Sequence, residues 1–246
     1  TIKKYITCII YQLCNICVLF AMPFEIQPLT EEKRVVYPFN KSIPQPQNGN
    51  FRLAICGQSG SGKSVLLINL LKEYRLHYPK IVIFSPNVSQ FKLNFGKHMS
   101  KHDLLYERFN PETIKKHFNK TMRRSRNEDV KRKPLLMVFD DVLSVLQKMP
   151  FFKRMMLISR KENISLIFTT HKFSETKPII RQNLTHLILM SSTRRELQLV
   201  GSYIGADKDE LIDSYFDTPA QLRYGFLYII INPMSVFLNF SDKQLM

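Results

Sequence analysis

From residue 50 onward, short apolar runs alternate with longer stretches that have helical periodicity. This alternation is typical of parallel α/β folds, in which each strand is followed by a helix. The apolar runs are rich in Ile, Leu, Val and Phe, which predicts strands that are covered on both faces. We predict these strands at residues 51–56, 80–85, 134–139, 164–170, 184–190 and 226–231.

The stretches between the runs predict the helices. We expect them at residues 63 to about 77, 111–123, 142–160 with a break at Pro150, 194–204 and 208–215. A last apolar run at 235–240 is expected to pair with the preceding strand as a hairpin across Asn232 and Pro233. Residues 51–246 are therefore predicted to form one α/β domain with a mainly parallel central sheet flanked by helices.

The first 50 residues have a different character. Residues 5–22 are almost entirely apolar and follow two lysines, which is the outline of a signal peptide or a short membrane anchor. Because polar residues interrupt this run and Met22 opens a polar sequence, we interpret 1–22 as an upstream extension, with the working protein starting near Met22. Membrane anchoring is the alternative. Residues 23–50 contain five prolines, which predicts an extended arm that packs on a neighbouring subunit or stays disordered.

Charge and cysteine content narrow the class of protein. A formal net charge of +16 favours a polyanionic partner such as nucleic acid, although a basic surface that meets an acidic protein is the alternative. The 4 cysteines do not form a disulfide framework in a chain of this length, so a reducing compartment is expected. Cys14 and Cys17 lack a second pair that would complete a metal site.

Residues 57–64, GQSGSGKS, match the phosphate-loop pattern G-x-x-x-x-G-K-S between a predicted strand and a predicted helix. Glycines let the backbone turn its N–H groups toward phosphate oxygens, and the helix N-terminus favours negative charge. Lys63 would contact the outer phosphates of ATP, and the hydroxyl of Ser64 would ligate Mg²⁺. The alternative is a chance turn. The predicted nucleotide contacts are Gly57, Gln58, Ser59, Gly60, Ser61, Gly62, Lys63, Ser64 and Val65.

The sequence LLMVFDD, residues 135–141, is a predicted buried strand that ends in two carboxylates. We assign Asp140 to the magnesium ion and Asp141 to the attacking water, a position where many ATPases of this division carry Glu. An acidic pair after a strand is a weak signal by itself, since acidic residues also cap helices. Together with the phosphate loop it predicts a site for ATP and Mg²⁺.

A third predicted strand, in ISLIFTTH, ends at a polar residue. His171 could hydrogen-bond the γ-phosphate or the attacking water and so report on hydrolysis, or it could be an exposed histidine after a strand. Thr170 is a weaker candidate. Transition-state charge also calls for an arginine, often from a neighbouring subunit. Our candidates are Arg160 and Arg181, followed by Arg194 and Arg195, and each could instead be an ordinary surface arginine.

The four segments GQSGSGKS, LLMVFDD, SRKENISLIFTTHKF followed by PIIRQN, and YGFLYIIINPMSVFLNF together resemble the FtsK–HerA superfamily. Within it they are most similar to the genome-packaging ATPases of large DNA viruses and virophages, over roughly residues 50–240. The resemblance implies a RecA-like P-loop NTPase core of the ASCE division. It also implies a homo-oligomeric ring, a pentamer or a hexamer, that translocates double-stranded DNA into a capsid at a portal vertex.

The resemblance also bears on single residues and on location. The arginine that this family carries before the third strand corresponds to Arg160, which places it ahead of Arg181. The family usually ends that strand with Gln, where this chain has His171, so the sensor role departs from the family pattern. The implied location is the host cytoplasm, a virus factory or the virion, and a membrane is not an expected partner.

The connection at residues 92–133 carries 13 Lys or Arg against 5 acidic residues. In a ring it could face DNA and grip phosphates without reading sequence, or it could be a solvated charged loop. Two other functions are compatible with a phosphate loop. One is a nucleotide or small-molecule kinase, and the other is a DNA- or capsid-binding protein that nucleotide switches without hydrolysis.

Overall fold

The computed structural model describes residues 25–26, 35–36, 44, 50–125, 134–218, 220, 222 and 224–240. The predictions for 1–22, for most of 23–50 and for the basic stretch 126–133 fall outside these residues. Within them, no helix is both long enough and apolar enough to span a membrane.

The core of the described chain is an eight-stranded sheet with the order β10–β9–β8–β3–β7–β6–β4–β5. Six neighbouring strands, β5, β4, β6, β7, β3 and β8, run parallel to one another. Strand β9 pairs antiparallel with β8, and β10 pairs antiparallel with β9 at the edge of the sheet. Its strands are β3 (Arg52–Gly57), β4 (Lys80–Phe84), β5 (Leu104–Tyr106), β6 (Leu135–Phe139), β7 (Ile164–Thr170), β8 (His186–Met190), β9 (Phe226–Ile231) and β10 (Met234–Leu238). The two-residue strands β1 (Glu25–Ile26) and β2 (Val35–Val36) pair separately.

Helices cover both faces of this sheet. They are α1 (Lys63–Tyr74), α2 (Val88–Phe95), α3 (Pro111–Ser125), α4 (Leu143–Leu146), α5 (Pro150–Ile158), α6 (Pro178–Arg181), α7 (Arg194–Ile204) and α8 (Lys208–Phe216). Successive strand residues face opposite ways, so Leu53 and Ile55 pack with α1 and α2, whereas Ala54 and Cys56 pack on the side of the later helices. All four are almost fully buried, as a doubly covered sheet requires.

Most predicted elements are present, with small shifts at their ends. Helix α7 has the predicted bounds, Pro150 opens α5, and β9 and β10 form the predicted hairpin across Asn232 and Pro233. The prediction that the first helix continues to about residue 77 was wrong, because α1 ends at Tyr74. Helices α2 and α6 and strand β5 were not predicted. Strand β5 has only 3 residues and exists through its pairing with β4.

The topology brings several loops to one edge of the sheet. Strands β3, β6, β7 and β8 are parallel, so their carboxyl ends lie at the same edge. Strand β9 runs in the opposite direction and therefore begins at that edge, where Phe226 pairs with Met190. Side chains that follow β6 and β7, the loop after β3 and the residues before β9 can all meet there. In open α/β sheets this edge is the usual place for a ligand.

Candidate functional site

The loop that follows β3 is shaped by its glycines. Gly60 and Gly62 have φ of 78° and 96°, a left-handed conformation that glycine adopts most easily. A Cβ on Gly57 would lie 2.5 Å from the carbonyl oxygen of Met190, so only glycine fits between β3 and β8 at this point. Gly62 caps α1, and the free amides of that first turn favour an anion.

Lys63 is the first residue of α1, and it is only 8% exposed. Its Nζ donates to the carbonyl oxygens of Gly57 at 2.7 Å and Gln58 at 3.0 Å, which holds the ammonium group across the mouth of the loop. Burial lowers the pKa of Lys63, while the charges of Asp141 and Asp140 act in the opposite direction. The lysine is therefore a partly desolvated cation beside two carboxylates.

Asp140 is clamped by two hydroxyl groups. Ser85, directly after β4, donates to Oδ2 at 2.8 Å, and Thr169 of β7 donates to Oδ1 at 2.9 Å. All three side chains are at most 2% exposed. Burial raises the pKa of the Asp140 carboxyl above its usual value, and the two hydrogen bonds offset part of that rise. The carboxylate is thus fixed in orientation, with lone pairs remaining on both oxygens.

Asp141 has a different environment. Its backbone has φ of 56°, and its amide donates to Thr169 Oγ1 at 2.8 Å. Its Oδ1 lies 3.1 Å from Nε2 of His171, and both side chains are almost half exposed, 45% and 46%. A water or ligand can therefore reach this pair, whereas Asp140 is enclosed.

These groups line one cleft of about 380 Å³. Nine of the sequence-predicted site residues line it: Ser59, Gly60, Gly62, Lys63, Ser64, Val65, Asp140, Asp141 and His171. Its lining residues are Ser59, Gly60, Gly62, Lys63, Ser64, Val65, Asn87, Gln90, Asp140, Asp141, Thr169, His171 and Tyr224. Gly57 and Gln58 instead line an adjoining cavity of about 320 Å³ between the ends of β7 and β8.

The donor set of the cleft suits a magnesium nucleotide. Mg²⁺ prefers oxygen ligands, and Ser64 and Asp140 supply a hydroxyl and a carboxylate. The buried Oγ of Ser61, within the same loop, has no hydrogen-bond partner in the described chain. A buried hydroxyl of this kind is stabilised by an additional polar group. The residues present therefore fit both the nucleotide and the Mg²⁺ ion.

A family model described as "Poxvirus A32 protein" matches residues 41–243. This match spans most of the chain, including every element that lines the cleft. The chain belongs to the poxvirus A32 protein family. No curated protein matches the chain.

Solved structures agree with this family assignment at the level of the fold. The DNA-packaging ATPase B204 from Sulfolobus turreted icosahedral virus has a TM-score of 0.61 at 18% identity, over 80% of this chain and 100% of that one. The genome-packaging NTPase B204 from Sulfolobus turreted icosahedral virus 2, in complex with AMPPCP, has a TM-score of 0.55 at 17% identity, over 77% and 96%. The pCW3 conjugation coupling protein TcpA has a TM-score of 0.51 at 14% identity, over 86% and 64%. The RecA-like fold and the resemblance to viral packaging ATPases are thereby confirmed.

The structure of this A32 family member does not bring the predicted arginines to the cleft. Arg160 is exposed in the 3₁₀ turn before β7, at the amino edge of the sheet, where its carbonyl accepts a bond from Asn50. Strand β7 has 7 residues, so about 20 Å of strand separates Arg160 from the cleft. Arg181 lies 5.4 Å from the ring centroid of Phe173 and does not line the cleft either.

Sequence reasoning missed several cleft residues. Thr170 was a sequence candidate, but its hydroxyl donates at 3.4 Å to the carbonyl of Lys172. The neighbouring Thr169 donates to Asp140 instead. Ser85 and Tyr224 were also missed. A polar residue at or next to the end of an apolar run was a usable signal for Ser85 and Thr169. Ser85 ends its predicted strand, and Thr169 lies one residue before the end of its own. Tyr224 carries no such signal.

Proposed function

We propose that this chain is an ATP-hydrolysing motor that translocates double-stranded DNA and packages a viral genome into a capsid. The observation that carries the proposal is the convergence of Lys63, Ser64 and Asp140 on one cleft of a fold shared with packaging ATPases. The family assignment and the net charge of +16 support it, because a basic protein attracts DNA without regard to sequence. We place the protein in the infected cell, at the virus factory or in the virion.

Each cleft residue has a role in this proposal. The loop amides and Lys63 bind the phosphates, and Ser64 and Asp140 hold Mg²⁺, which when bound neutralises phosphate charge. Asp141 orients the attacking water, since its carboxylate is accessible. His171 contacts Asp141 directly and is therefore suited to respond to the γ-phosphate. The phosphate contacts and the water geometry supply most of the rate enhancement in phosphoryl transfer.

The first test is turnover with and without double-stranded DNA. Stimulation of ATP hydrolysis by DNA, weakening as salt is added, is the expected result for a motor. Transfer of phosphate to a small acceptor would instead identify a kinase. Nucleotide binding without turnover would identify a switch, and either result contradicts the motor.

Substitution of the loop lysine tests the site itself. Lys63→Ala should lower ATP turnover roughly 100-fold or more, because it removes a charge-stabilising donor from a partly buried site. Lys153→Ala changes an exposed lysine outside both the cleft and the basic connection and should leave turnover unchanged. Full activity in Lys63→Ala would remove the ATPase assignment.

Arg160 leads to a prediction about assembly. Its position at the amino edge means that it can serve a nucleotide only in a neighbouring subunit of a ring. Arg160→Ala should be inactive alone, as should Lys63→Ala, but a mixture of the two should recover part of the turnover. An interface that joins an intact Lys63 to an intact Arg160 exists only in the mixture, so the absence of recovery would exclude this role for Arg160.

A further inference from the structure

Tyr224 occupies an unusual backbone conformation beside the phosphate loop. Its φ is 71°, in the left-handed region that costs energy for a bulky residue. It lies two residues before β9, and β9 begins at the edge of the sheet that carries the cleft. Strained residues of this kind persist where the surrounding structure holds them, and they cluster at ligand sites.

The ring of Tyr224 packs directly on the phosphate loop. A Cβ placed on Gly62 would lie 2.7 Å from Tyr224 Cδ1 and 3.3 Å from Cε1, so the ring lies flush with the glycine backbone. The same point is 3.5 Å from Cε of Met190, which provides an apolar neighbour. Tyr224 also lines the cleft. The ring is therefore shared between the loop and the ligand space.

The sheet order places this ring opposite the carboxylates. Asp140 follows β6, which is two strands from β3 on one side, and Tyr224 precedes β9, which is two strands from β3 on the other. The phosphate loop lies between them. A nucleotide whose phosphates lie at Lys63 and Asp140 has its uncharged end directed away from the carboxylates, toward the side where Tyr224 lies.

We propose that the ring of Tyr224 is the platform on which the base of the nucleotide packs. This inference rests on the proposed function, because it requires a nucleotide in the cleft. Two rings line the cleft among the described residues: His171 contacts Asp141 through Nε2, whereas Tyr224 presents ring carbons beside Gly62. Base–aromatic stacking depends on the π-face and gives affinity without strict base selection.

The test separates base contact from support of the loop. Binding of MgATP and of magnesium tripolyphosphate, which has no base or ribose, is measured by titration calorimetry in the natural chain, Tyr224→Ala and Tyr224→Phe. Alanine and phenylalanine meet the same backbone restriction at this φ, so their difference reports the ring alone. Tyr224→Ala should weaken MgATP binding roughly 5- to 150-fold and change tripolyphosphate binding less than about twofold. Tyr224→Phe should bind both as the natural chain does.

Three results would overturn the proposal, and they are distinguishable from failure of the proposed function. Equal weakening of both ligands in Tyr224→Ala would show that the ring only supports Gly62. Unchanged binding of both ligands would show that it contacts neither. Equal affinity of the natural chain for both ligands would show that the base makes no contact, with the phosphate site intact. If the natural chain binds neither ligand, the proposed function fails together with this inference.

Discussion

The hydroxyl of Thr169 offers the sharpest test of how the site is built. It donates to Asp140 Oδ1 at 2.9 Å and accepts from the Asp141 amide at 2.8 Å, so one buried atom fixes both carboxylate residues. Thr169→Val replaces this hydroxyl by a methyl group of nearly the same size. Because Thr169 is fully buried at 0% exposure, water cannot replace the lost partner.

The expected cost follows from these two bonds. A hydrogen bond to a charged group contributes about 1.5–3 kcal/mol, and the partly buried Asp141 amide adds about 1 kcal/mol when it loses its partner. Thr169→Val should therefore lower the free energy of unfolding by about 2.5–4 kcal/mol. Thr169→Ser keeps the hydroxyl and removes one methyl group, so its cost should be only about 1 kcal/mol.

The substitution should also change the proposed metal site. The hydrogen bond from Thr169 lowers the pKa of Asp140, so its loss shifts that pKa further upward, in the direction in which burial already moves it. Unfolding in urea at neutral pH measures the stability, and ATP turnover against Mg²⁺ concentration measures the site. Thr169→Val should need more Mg²⁺ than Thr169→Ser. Equal stability and equal Mg²⁺ dependence of the two variants would refute the clamp.

Two further predictions concern the loop and the core. Gly57→Ala places a Cβ 2.5 Å from a backbone oxygen and should destabilise the fold by about 1–3 kcal/mol, measured by unfolding in urea. Gly96→Ala meets no atom within 4 Å and should be nearly neutral in the same assay. Burial lowers the pKa of His186 from 6.5 to about 3, so its contribution to stability is present above pH 6.5 and is lost as the pH falls toward 3. The fall in unfolding free energy from pH 7.5 to 5.0 should be about 2 kcal/mol larger in the natural chain than in His186→Phe, and equal falls would contradict this.

The long elements were predictable because each is specified locally. Six apolar runs became β3, β4, β6, β7, β8 and β9, since only strands covered on both faces need such continuous apolar sequence. Helix α7 was predicted from end to end because Thr193 caps its start and Gly205, with φ of 75°, ends it. Strand β5 had no comparable signal. Its residues are only partly buried, and its pairing with Val82 and its neighbours in β4 is a tertiary contact.

The candidate site shows the same division between local and tertiary information. The position of the loop at 57–64 between a strand and a helix was predictable because the three segments are contiguous in sequence. Ser85 and Asp140 are separated by 55 residues, and they meet only because β4 and β6 are neighbours in the sheet. Tyr224 and Gly62 are even farther apart in the sequence, and their contact depends on β9 running antiparallel to β8. A single sequence contains no local pattern that predicts these contacts.

The positions of the two groups of charged residues have a consequence for assembly. Lys63, Asp140 and Asp141 lie at the carboxyl edge of the sheet, whereas Arg160 lies at the amino edge, beyond the full length of β7. A rigid sheet cannot bring both edges to one nucleotide. If Arg160 completes the site, hydrolysis therefore requires a head-to-tail arrangement in which the amino edge of one subunit meets the cleft of the next. Repetition of such a contact closes into a ring when its rotation allows and otherwise gives an open filament, so a need for Arg160 would favour a ring over a two-fold dimer.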